Sequence, residues 1–230
     1  MFGRATLGAA AALTAVLAWA APAAALPEPT IPPDVTDFYT DEAADWAAAL
    51  GAGLDSDFSD VRVGAVHEVF WFSKAFVDGE PTDEPVRPSG TWLGVLQRGD
   101  QVLGTLGVWK PDGGRAEPFG LENGVPIATA MGTLAPTELL VQDEPTGAYY
   151  ALSGTAARPL NDWAREYLSE PGDVAALQDV VAARYAELAN QPAEPVDPPM
   201  LPFALGAMAV TLAAGIGVVL ARRRPRQTTG

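Results

Sequence analysis

The sequence predicts an α+β fold: an N-terminal helix, an antiparallel sheet of about five or six strands, and a C-terminal amphipathic helix packed on the sheet. Three observations carry this. Ala43, Trp46, Ala47 and Leu50 recur at helical spacing near the start. Between Val61 and Leu152, Val-, Trp- and Tyr-rich runs alternate with Gly, Pro and Asp turns. Leu177, Val181, Tyr185 and Leu188 then fall on one face of a longer helix. One more C-terminal helix, outside this fold, is predicted to cross a membrane.

Residues 1–25 read as an export signal. Arg4 is the only charge before Glu28, Ala5 to Ala21 is an apolar run, and Ala23, Ala24 and Ala25 form a small-residue cleavage site after Pro22. Residues 26–35 form a Pro-rich leader, expected to be extended. The outer domain is placed at 36–190. Thr40 reads as the N-cap of its first helix, with Asp41, Glu42 and Asp45 in the first turn, and Gly51 and Gly53 end it.

Asp55, Asp57 and Asp60 follow as the weak candidates for a metal site, since hard cations take clustered oxygens. The EF-hand pattern fails, because Asp60 stands where that loop needs Gly and Val66 where it needs Glu. A turn with Asp side chains capping backbone amides is the simpler reading, and no metal or other cofactor is expected.

Val61 to Phe76 reads as a strand whose apolar face switches midway, which suggests a bulge or a strand buried on both sides. His67, the single His, lies at the switch, and Glu68 points to the opposite face. Asp78 to Gly90 is an acidic, Pro-rich loop. Thr91 to Arg98 and Gln101 to Lys110 form a hairpin about the two-residue loop Gly99-Asp100. Gly94, Gly104 and Gly107 inside its strands predict close approach by another element. Residues 115–124 read as irregular. Pro126–Met131, Glu138–Gln142 and Gly147–Leu152 read as three further strands, the last two joined by the loop Asp143–Thr146. Asn161 or Asp162 caps a short helix through Leu168; Pro171-Gly172 break it, and Asp173 caps the helix 174–189.

Residues 191–202 are a Pro-rich stalk. Phe203 to Ala221 carries no charge, and about 19 residues at 1.5 Å rise span roughly 28 Å, near the thickness of a bilayer core. Arg222, Arg223 and Arg224, with Arg226, fill the short tail 222–230 and mark it as cytoplasmic, leaving the N-terminal domain outside. Ala207, Thr211 and Gly215 are spaced four apart, which suits a weak homodimer or pairing with another membrane protein.

All 29 acidic residues and nine of the 14 basic ones lie within 26–199, a net charge of −20 for the outer part. That excludes nucleic acid as a partner. With no Cys and one His, thiol chemistry, disulfides and Cys- or His-rich metal sites are excluded. Ala, Gly, Pro and Arg, all with GC-rich codons, dominate and point to a bacterium. The expectation is a single-pass, type I envelope membrane protein. Its acidic domain binds or scaffolds a ligand, wall polymer or protein partner without catalysis. An exported hydrolase using carboxylates or a Ser/His pair is the alternative. A small subunit of a membrane transport or secretion complex is the third reading. Trp46, Trp71, Trp92, Trp109, Trp163, Tyr149 and Tyr150 either build the core or present a platform for glycans or peptides.

Overall fold

The computed structural model describes residues 26–52, 57–111, 113–122 and 124–190. The export signal 1–25, the stalk 191–202, the span 203–221 with Phe203 and Ala221, the tail arginines and Asp55 lie outside the described residues. The fold is α+β, built on one sheet of eight strands.

The chain enters through two short helices, α1 (Pro33–Asp41) and α2 (Ala43–Gly51). The first begins inside the segment expected to be extended. Pro33 fixes φ at a helical value where no N–H is needed, and Val35, Phe38 and Tyr39 form its buried face. Thr40 is therefore inside α1, its hydroxyl donating to the Thr36 carbonyl at 2.9 Å. The residues ahead of α1 are also tied down. The Thr30 amide donates to Glu68 at 2.7 Å, and the Trp92 indole donates to the Thr30 carbonyl at 2.8 Å.

Strand β1 (Arg62–Phe72) is followed by the one-turn helix α3 (Lys74–Val77), which Ser73 caps. Then come β2 (Val86–Arg98), β3 (Gln101–Trp109) and β4 (Glu117–Glu122). Helix α4 (Val125–Met131) leads to β5 (Leu139–Asp143), β6 (Ala148–Ser153) and β7 (Ala156–Pro159). Helix α5 (Asp162–Tyr167), the two-residue β8 (Gly172–Asp173) and α6 (Val174–Asn190) complete the domain.

The strand order is β4-β3-β2-β1-β5-β6-β7-β8. Two meanders lie side by side, and their first strands, β1 and β5, pair in parallel at the centre. The sheet is thus mixed and has more strands than the sequence predicts. Residues 126–131 are helical, not a strand: Pro126 sits in the first turn, and Ile127, Ala128 and Met131 form one buried face. β4 falls in the stretch read as irregular because Pro118 and Gly120 hide its pattern; a proline is tolerated on an edge strand.

The predicted hairpin is present, with Arg98 opposite Gln101 and Gly99 at φ +57°. The register shift between Val63 and Val66 lies in β1, which spends three residues against two of β2, and supplies the bulge at which its apolar face changes; a second shift, at Val69/Phe70, lies in β2 between Pro88 and Thr91. Alternation puts Glu68, Phe70 and Phe72 on one face of the sheet and His67, Val69 and Trp71 on the other. On the first face, α1 and α2 cover Trp92, Leu96 and Leu106, while α6 covers Phe70, Val141, Tyr150 and Leu152. On the second face α4 packs Met131 and Ala128 against Val69, Leu93 and Leu140. Among the described residues no helix is long and apolar enough to cross a membrane.

Candidate functional site

The parallel pairing of β1 and β5 brings the C-terminal ends of both strands to one edge of the sheet, with Trp71 opposite Gln142. On its other side Trp71 faces Arg87 of β2. Arg87, Trp71 and Gln142 therefore stand in one row across three strands. The chain turns away from this edge after β1, through Lys74 of α3, and after β5, through Glu144 of the hairpin loop. Between these turns and α6 lies an open cleft of about 250 Å³, lined by Trp71, Lys74, Arg87, Gln142, Glu144 and Tyr185.

Its walls are held from beneath. Asp143, 1 % exposed, accepts a hydrogen bond from the Tyr185 hydroxyl at 2.8 Å and another from Thr146 at 2.7 Å. Burial raises the pKa of Tyr185, and its bond to Asp143 acts in the same direction, so the phenol stays protonated. While its O–H donates to Asp143, the Tyr185 oxygen retains acceptor capacity. The Arg87 guanidinium lies 4.8 Å from the centroid of the Trp71 ring, within cation–π range. The buried Trp71 indole N–H has no acceptor among the described residues. The cleft thus offers an aromatic ring, two cations, an amide, an acid and a phenol. These groups can donate and accept hydrogen bonds and carry charge of both signs.

Of the candidate cation ligands, Asp57 and Asp60 lie among the described residues, and Asp57 is engaged by other groups. Asp57 accepts from the Ser59 amide at 2.8 Å and faces Arg98 at 3.2 Å. The Ser59 hydrogen bonds, more than Arg98, hold its carboxyl below the usual value. Asp60 occupies the turn at φ +53°. These two form a capped turn, and among the described residues no cluster of three potential metal ligands occurs.

His67 lies opposite Leu93, and Glu68 opposite Trp92, so the two face away from each other, as the sequence predicts. Burial lowers the His67 pKa, while the Met131 backbone and the Glu138 charge oppose the shift. Its Nε2 is buried without a hydrogen-bond partner among the described residues. Glu138, the acid whose charge His67 feels, is held by Arg158 through two 3.0 Å hydrogen bonds. Ser73 caps α3 through the Phe76 amide, and Ser89 donates to the Val69 carbonyl at 2.6 Å. Neither serine meets the histidine. Of the aromatic residues, Trp92, Tyr149 and Tyr150 are core, while Trp109 and Trp163 are exposed.

Arg87 and its partnership with Trp71 were not legible beforehand. Arg87 sits where the sequence reads as loop, and only the register of β2 sets it beside Trp71. No family model, no curated protein and no solved structure matches the chain.

Proposed function

We propose that this chain is a single-pass envelope membrane protein whose acidic outer domain is a non-catalytic binding module. In this reading residues 1–25 direct export, 203–221 anchor the chain, and the arginines from Arg222 onward remain in the cytoplasm. The observation that carries the binding role is the cleft at the ends of β1 and β5. Its side chains present an aromatic surface with polar groups around it, and none forms the nucleophile–base pair that a hydrolase needs. Ser73 and Ser89 are spent on backbone groups, and His67 packs on the α4 face of the sheet.

Helix α6 begins where the Val174 amide donates to Thr155, at the β7 end, and reaches Asp143 at the end of β5 through Tyr185. It finishes at Asn190, five residues beyond Tyr185.

Fractionation tests the anchor. Membranes from cells making the full chain, washed with alkaline carbonate, are expected to retain it; a chain ending at residue 202 is expected in the soluble exported fraction. Extraction of the full chain by carbonate would remove the anchor from the account.

A further inference from the structure

The charge inventory of the domain points to the kind of ligand the cleft takes. Nine basic side chains stand among 29 acidic ones in residues 26–199, so each cation has an excess of carboxylates to choose from. Six are ion-paired with an Asp or Glu. Arg62 donates to the Gly99 carbonyl at 3.0 Å, and Arg184 lies over the Tyr167 ring with its Nε buried. Arg87 is different. It is exposed, it lines the cleft, and among the described residues it has no carboxylate partner; its only fixed contact is the Trp71 ring. Lys74, the other cation of the cleft, is 86 % exposed and tied only to Asp78 one turn on, a surface pair of little strength.

We propose that the cleft binds an acidic sugar, a pyranose ring bearing a carboxylate. This deepens the binding role proposed above and rests on it. The ligand's carboxylate takes the Arg87 fork, which stacking on Trp71 holds ready and which matches a carboxylate in a bidentate way. Lys74 adds a second positive charge. The ring lies against the aromatic wall, as sugars do on indole faces, and its hydroxyls meet Gln142, Glu144 and the Tyr185 oxygen. The cavity of about 250 Å³ is smaller than the ~300–1,000 Å³ of pockets for drug-sized ligands, so it suits one ring and not a long chain segment. The outer part, residues 26–199, has a net charge of −20 and repels anions at large, so an anion that binds must do so at a local positive site.

The test uses the full-length protein in detergent, titrated calorimetrically at low ionic strength and pH 7 with D-glucuronate, D-glucose, N-acetylalanine and inorganic phosphate. D-glucuronate is expected to bind about tenfold tighter than D-glucose, the size of effect one charge-assisted contact gives. Arg87→Gln is expected to abolish that preference while leaving the weak D-glucose binding in place. Glu144→Gln, on an exposed side chain, removes the cleft's own negative charge and is expected to weaken D-glucose and widen the glucuronate preference. Equal binding of the two sugars, or a glucuronate preference that survives Arg87→Gln, overturns the proposal. So does N-acetylalanine or phosphate binding as tightly as glucuronate, since the site would then read charge without a ring. Binding of D-glucose with no glucuronate preference would leave the binding role standing and remove only the acidic ligand; loss of the anchor in carbonate extraction touches neither arm of the titration.

Discussion

Glu68 is a carboxylate set against the packed face of the sheet, 6 % exposed, with the Thr30 amide 2.7 Å away. Burial raises its pKa above the usual 4.5, and the Thr30 hydrogen bonds only partly oppose this. The folded protein therefore holds this proton more firmly than the unfolded chain. The stability linked to it is fully present below the unfolded value and is lost as pH rises through the folded one. Glu68→Gln keeps an oxygen for Thr30 and removes the charge. At pH 7 the variant should be at least as stable as the native chain in thermal unfolding, and its advantage should vanish near pH 4. A loss of more than about 1 kcal/mol at pH 7 would mean that the charge itself is needed by a partner. Such residues are invisible to periodicity. Glu68 stands in a strand pattern like any surface acid, and only the return of residues 26–32 across Trp92 buries it.

At the scale of elements, the close packing of α1 on β2 depends on Gly94. A Cβ there would stand 2.5 Å from the Tyr39 ring. That ring cannot swing away easily, because its hydroxyl lies 2.9 and 2.8 Å from the carbonyls of Trp92 and Leu106 and shares its proton between them. Gly94→Ala should cost about 1–3 kcal/mol in chemical denaturation, the usual range for overpacking a core. Gly120→Ala, on β4 with nothing within 4 Å of the new methyl, should stay within about 0.5 kcal/mol of the native chain. Equal effects would show that close approach is not what places glycine at 94. The need for a small residue at 94 is readable from the sequence, as are the Gly99-Asp100 turn, the loop after Asp143 and the caps at Asn161 and Asp173. Each is a local signal with a local cause. Asn161, for example, accepts from the Ala164 amide at 3.0 Å and starts α5 where the pattern demands. The misread elements have weak local signals or depend on distant partners. Ala128, Ala130 and Met131 are compatible with either state until α4 finds the sheet. β4 and β7 are short edge-side strands whose pairing comes from neighbours.

For the whole molecule, the parallel pairing of β1 with β5 is the decisive feature and the least legible one. Hairpins state their own register, whereas a crossover after β4 can return to either edge of the first meander or take its central place. Because β5 lands beside β1, two strands end together, and Trp71, Arg87 and Gln142 meet. The cleft is thus a property of topology, although its residues are scattered from β1 to α6. The proposed anchor is the opposite case: an uncharged run ending in arginines is a signal of composition alone, and the proposed location of the domain outside the cell depends on it. The absence of cysteine from the chain makes this directly measurable. Single cysteines introduced as Asp83→Cys, in the exposed loop between α3 and β2, and as Thr228→Cys, in the tail, can be challenged in intact cells with a membrane-impermeant maleimide. The account predicts labelling at position 83 in intact cells and at position 228 only after permeabilisation. Labelling of position 228 in intact cells with position 83 protected would contradict it.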